Sequence, residues 1–138
     1  MKARTAEDGS ATTELVLLTP VLLLLLAFVV FTGRVSDAEQ RVLAAADEAA
    51  RAASLWRDAA TAEIAATEAA GVNLANAGVS CEDLTVDVDT SAFRRGGYVS
   101  VTVMCGVGLD DVAFAGVPGE RRLTATATEV IDTFRGGS

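Results

Sequence analysis

The feature that most constrains this chain is a run of apolar residues from Leu15 to Phe31, interrupted only by Thr19 and Pro20. It predicts a helix that crosses a membrane, placed at residues 10–33, although about 17 apolar residues is at the short end for a span. Pro20 lacks an N–H and is expected to kink this helix slightly, with the Thr19 hydroxyl placed to cover a freed carbonyl. One residue does not suit a plain anchor. Glu14 stands at the start of the run, five positions after Gly9. A charge carried into hydrocarbon on a helix costs roughly 2.5–3.5 kcal/mol, so a carboxylate there asks for a partner. Residues 1–9, MKARTAEDG, are short and polar, with Lys2 and Arg4 offset by Glu7 and Asp8.

The totals exclude several functions. The chain has 138 residues, room for one modest domain, and a net charge of −8. That balance argues against nucleic acid, which asks for basic patches, and supplies no polybasic segment for anionic lipid. There is no histidine, so the commonest general base and metal ligand are missing. With no nucleophile motif either, an enzyme is not expected, nor a cofactor or metal. The 2 cysteines, Cys81 and Cys105, both follow the apolar run. If that run crosses a membrane they share a compartment, and a disulfide outside the cytoplasm is the natural reading. A redox or metal pair has less support, because the spacing is not CxxC and no histidine completes a site.

From Arg34 the pattern changes without a break. Val35, Val42, Ala49 and Trp56 recur every seventh residue, with Ala38, Ala45, Ala52, Ala59 and Ala66 offset by three. This small-residue heptad stripe predicts an alanine-rich helix over residues 34–78, continuous with the first. Asp37–Arg41 and Asp47–Arg51 are acid-before-base pairs at helical spacing, worth perhaps 0.2–0.5 kcal/mol each. Asn76 and Gly78 end the helix.

Beyond Gly78 the period falls to two, and residues 79–138 read as a small antiparallel β domain. "LTVDVD" and "YVSVTVMC" form a hairpin across "TSAFRRGG", with Val86 expected opposite Val101. "LTATATEVID" is a third strand starting at Leu123. In between, Asp110 is a candidate cap for a short helical turn and "VPGER" a tight turn; the closing "RGGS" is a loose tail. Strict alternation sends the sulfurs of Cys81 and Cys105 to opposite faces, so Cys81 lies outside the regular strand or a bulge intervenes. Closing that loop stabilises by about 3–3.5 kcal/mol on the chain-entropy account. So small a sheet needs a helix on its apolar face, and the helix near Leu55, Trp56 and Ile64 is the candidate cover. The fold class is therefore α+β: one long N-terminal helix, membrane-spanning in its first half and alanine-rich in its second, packed on a small antiparallel sheet. Asp83, Asp87, Asp89, Asp110 and Asp111 make a solvated acidic face, and Arg94, Arg95 and Tyr98 a solvated hairpin tip.

The spacing of Gly9, Ser10 and Glu14 before a long apolar helix resembles the signal of type IV pilins and pseudopilins. "GSATTELVLLTPVLLLLL", the alanine-rich helix, the two cysteines and "PGERRLTATATEVIDTFR" together resemble the TadE-like family. These are pseudopilins of tight-adherence (Tad/Flp) pili, and the actinobacterial members look most similar. The resemblance covers nearly the whole chain. It implies a leader, residues 1–9, cut after Gly9 by a prepilin peptidase to leave Ser10 as N-terminus. It implies that Glu14 recognises the N-terminal amine of a neighbouring subunit. It also implies a non-enzymatic pilin-like subunit in the cytoplasmic membrane, N-terminus inside and C-terminal domain outside, with membrane lipid, sister pilins and the pilus assembly platform as partners, and self- or hetero-association. The alternative is an unprocessed single-pass membrane protein with an extracytoplasmic partner-binding domain. A third possibility is a secreted domain released by ordinary signal-peptide cleavage after Ala38.

Overall fold

A computed structural model of the chain describes residues 5–108 and 119–134. The expected cap at Asp110, the acidic Asp111, the start of "VPGER", the "RGGS" tail and the basic Lys2 and Arg4 lie outside the described residues. The elements in order are α1 (Thr5–Ser54), α2 (Ala59–Asn76), β1 (Asp83–Asp89), β2 (Tyr98–Gly108) and β3 (Glu120–Val130). This is the α+β class expected: a long apolar-then-alanine-rich N-terminal helix and a small antiparallel sheet. The chain forms two compact units, residues 1–34 and 35–138.

The first unit holds the N-terminal part of α1. Every large apolar side chain from Leu15 to Phe31 is exposed, from 40% at Phe31 to 72% at Leu24. A helix apolar on all sides and buried on none is made for lipid rather than for a core, and α1 is long and apolar enough to cross a membrane. Pro20 lies within it. The Thr19 hydroxyl donates to the Leu15 carbonyl at 2.7 Å. That differs from the expectation. The carbonyl deprived by Pro20 is that of Val16, but a threonine side chain bonds most readily four residues back. Thr32 does the same toward the Phe28 and Val29 carbonyls, at 3.1 and 3.0 Å.

The second unit is a helical pair over a sheet. On α1 the buried residues are Val42, Ala45, Ala46, Ala49, Ala50 and Ala53, a stripe of three-and-one spacing that marks one helical face. The expected continuous helix over 34–78 is not found. Leu55 and Trp56 close α1 with bonds to the Ala52 and Ala53 carbonyls at 3.3 and 3.2 Å, and Asp58 starts a new helix. Its carboxylate accepts from the Thr61 N–H at 2.8 Å and the Thr61 hydroxyl at 2.7 Å. This is the N-cap arrangement, which satisfies donors that the first turn leaves open. The break reverses the chain. Ala62, Ala66, Ala70 and Leu74 are the buried face of α2, and the Ala77 carbonyl at its end accepts from the Arg41 guanidinium back on α1. Gly78, with φ of 75°, ends the helix in the left-handed conformation as expected.

The sheet is a meander in the order β1-β2-β3, antiparallel throughout. Val86 pairs with Val103 and Val88 with Val101, two residues from the expected register. The hairpin loop is the cause. Phe93 bonds to Thr90, Tyr98 to Ala92 and Gly97 to Arg94, and Asp89 and Ser100 form the last pair. Side chains alternate with period two, so a slip of two leaves every residue on its expected face. β3 begins at Glu120 rather than Leu123, pairing with β2 from Gly108 onward.

Val99, Val101, Val103, Cys105 and Val107 on β2 join the alanine faces of both helices in one core, with Leu123 and Ala127 from β3. Leu55, Trp56 and Ile64 do not cover the sheet. They are 55%, 49% and 68% exposed, because alanine, not the bulky residues, faces inward. Alanine buries little surface of its own but lets helix and sheet approach closely. The valines beneath are then shut from water, about 1.5–3 kcal/mol for each buried side chain of that size.

Candidate functional site

Three features stand out: the start of α1, the disulfide, and a few exposed polar ties. Gly9, Ser10 and Glu14 all fall within α1, and the Glu14 side chain is exposed one residue before the apolar run. A rise of ~1.5 Å per residue places Ser10 and Glu14 about one turn apart. Glu14 lies beyond the first turn of α1, where the macrodipole adds little, and its carboxylate stands at the mouth of the apolar segment.

Cys81 and Cys105 form a disulfide with their Cα atoms 5.2 Å apart. Cys105 is fully buried in β2, opposite Leu84, while Cys81 is half-buried and lies two residues before β1. Alternation required one sulfur to leave the ladder, and Cys81 is the one that does. The bridge ties the segment following α2 to the central strand.

The exposed polar ties are Asp37–Arg41 at 2.8 Å, Glu39–Arg121 at 2.9 Å and Asp83–Arg122 at 3.3 Å. Pairs this open are worth about 0–1 kcal/mol each. The expected Asp47–Arg51 pair does not form. Arg51 instead lines a shallow cavity of about 370 Å³ with Ser54, Leu55, Glu129, Val130 and Asp132. Two carboxyls are held below the usual carboxylate range by local hydrogen bonds: Asp58 by the Thr61 hydroxyl and N–H, Asp89 by Ser91. Asp83, Asp87 and Asp89 are exposed, as are Arg94, Arg95 and Tyr98 at the hairpin. Among the described residues no three metal-donor side chains converge. The sequence reading did not find Asp58, Arg121–Glu39 or the Arg41–Ala77 tie. Only Asp58 had a local signal, an aspartate three residues before a threonine at the head of an alanine-rich run.

The model of the TadE-like protein family matches residues 9–51. The match opens on Gly9, takes in Ser10, Glu14 and the apolar run, and ends at Arg51 in the last turn of α1. No curated protein and no solved structure matches the chain. A domain of this kind points to tight-adherence pilus assembly and to association with a membrane and other pilus components. Over residues 9–51 the chain is thus similar to the TadE-like protein family.

Proposed function

We propose that this protein is a non-enzymatic pseudopilin or minor pilin-like subunit for a tight-adherence pilus or a related secretion machine. It is made as a membrane precursor with its N-terminus inside and residues 34–138 outside. A prepilin peptidase removes residues 1–9, and Ser10 becomes the mature N-terminus. Glu14 then pairs with the Ser10 amine of a neighbouring subunit, joining sister pilins and the assembly platform through their apolar helices. The observation that carries this reading is the placement of Gly9, Ser10 and Glu14 at the mouth of a long apolar segment, inside the part of the chain that matches the TadE-like model. A buried carboxylate is tolerable when an amine lies within a few ångströms, and lipid around the contact excludes competing water.

The test is the N-terminus of protein extracted from host membranes. Intact mass and N-terminal analysis are expected to give a chain starting at Ser10. Gly9→Trp is expected to leave the full precursor, since a bulky residue obstructs the bond to be cut. A wild-type chain that keeps Met1, or one that starts after Ala38, overturns the reading.

A further inference from the structure

The sheet has two outer edges, and among the described residues no strand pairs with either. Exposed edges are templates for another strand, and proteins usually guard them with charge, proline or brevity. β1 has seven residues and three aspartates, all on the face away from the helices. β3 has eleven residues, and from Leu123 to Thr128 it carries no charge, proline or glycine. The core also thins toward β1. Leu84 points to the helix side yet is 39% exposed, while Val101, Val103 and Cys105 beside it are fully buried.

The two edges are chemically matched. β1 and β3 are each antiparallel to β2, so they run parallel to one another, and the register sets their levels. Asp83 and Arg122 both face Gly106, Thr85 and Thr124 face Met104, Asp87 and Thr126 face Thr102, and Asp89 and Thr128 face Ser100. A second copy placed alongside without slip sets those same residues side by side across the contact. Asp83, which already pairs with Arg122 of its own chain across Gly106, meets a second Arg122 guanidinium, Asp87 and Asp89 meet hydroxyls, and no like charges oppose. On the helix side Leu84 meets Leu123, Val86 meets Ala125 and Val88 meets Ala127, which covers the surface of Leu84 left open.

We propose that copies of this chain pair edge to edge, β3 of one running parallel to β1 of the next, so that the sheet continues from subunit to subunit. The inference rests on the assembly reading for one point: copies are gathered in one membrane and meet side by side. A heterologous parallel contact leaves an edge for the next copy, whereas a two-fold antiparallel β3–β3 contact, which would place Arg121 against Glu129, closes on itself.

The test is oxidative crosslinking of the full chain in host membranes, using the Thr85→Cys, Thr124→Cys double variant. Both threonines are exposed. Within one chain they lie two strand spacings apart, about 9.5 Å, too far for a disulfide. Non-reducing gels are expected to show a ladder of dimers, trimers and larger species, with none from either single variant. Copies carrying the two changes separately, expressed together, are expected to give one dimer band and alter only one threonine per chain. No crosslink in either format overturns the proposal. So does a dimer from co-expressed Thr124→Cys and Thr126→Cys copies, which reports the antiparallel contact. Absence of a ladder in protein that begins at Ser10 refutes edge pairing alone; a retained Met1 refutes processing whatever the gel shows.

Discussion

Asp58 decides where one helix stops and the next begins. Its carboxylate accepts two hydrogen bonds from Thr61, and these hold its pKa below the ordinary carboxylate value. A carboxyl whose folded pKa is depressed stabilises the fold above its unfolded pKa, and that stabilisation is lost as pH falls through the folded value. Asp58→Ala is therefore expected to lower the melting temperature at neutral pH. The gap from wild type should narrow in acid, below the usual carboxylate range, when melting is followed by circular dichroism as a function of pH. On the proposed assembly reading Glu14 has a different task. Glu14→Gln keeps shape and removes charge, so the variant is expected to enter the membrane and be trimmed like wild type. Crosslinking between its apolar helices should fall by more than about tenfold, because an amine left without its carboxylate is strongly destabilising in lipid. Equal crosslinking of wild type and variant would leave Glu14 without that task.

At the scale of elements, legibility followed periodicity. The apolar run, the alanine stripe and the three alternating strands each carry a repeat that local sterics convert directly into structure, and each is found, the alanine stripe as two helices rather than one. The break at residues 55–58 contains neither glycine nor proline and leaves the alanine pattern almost undisturbed. The heptad count ran through it to Trp56, which sits exposed in the turn. The same break explains the error over Leu55, Trp56 and Ile64. Hydrophobic size suggested the packing face, whereas closeness of approach selected alanine. The hairpin register depended on loop hydrogen bonds that no local repeat encodes. The start of α1 was legible as a spacing, but the ties from Arg41 to Ala77 and from Arg121 to Glu39 join residues 36 and 82 positions apart and carry no sequence signal. The alanine argument makes a direct prediction. Ala66→Leu adds bulk to a fully buried position and is expected to cost about 1–3 kcal/mol by overpacking. Ile64→Ala, on the outer face, is expected to change stability by less than about 0.5 kcal/mol. Denaturant midpoints of the two variants check the contrast.

At the scale of the whole molecule, the second unit is held by two different means. Among the described residues the buried core joining α1, α2 and the sheet is built from alanine, valine, leucine and Cys105, with Phe93 packed at its edge, and the disulfide fixes the segment after α2 to β2. A small core of alanine and valine supplies limited hydrophobic stabilisation, so the covalent link carries a large share. Cys105→Ser is expected to lower stability by about 2–5 kcal/mol, the usual range for a native bridge in a small domain. Reducing agent should shift wild type toward the variant and leave the variant unchanged, in thermal melts run with and without reductant.

If the chain is processed as proposed, the helical state of residue 9 bears on how the precursor is presented to a peptidase. Gly9 and Ser10 both lie within α1, so the bond between them sits in formed helix. A protease cleaves backbone it can draw out straight, which means the turn holding that bond must uncoil first. Glycine lowers the cost of doing so, being about 1 kcal/mol poorer than alanine as a helix former. Glycine at this position is then a point of weakness as well as a small side chain, and on the proposed reading the rate of trimming follows how readily that turn comes undone.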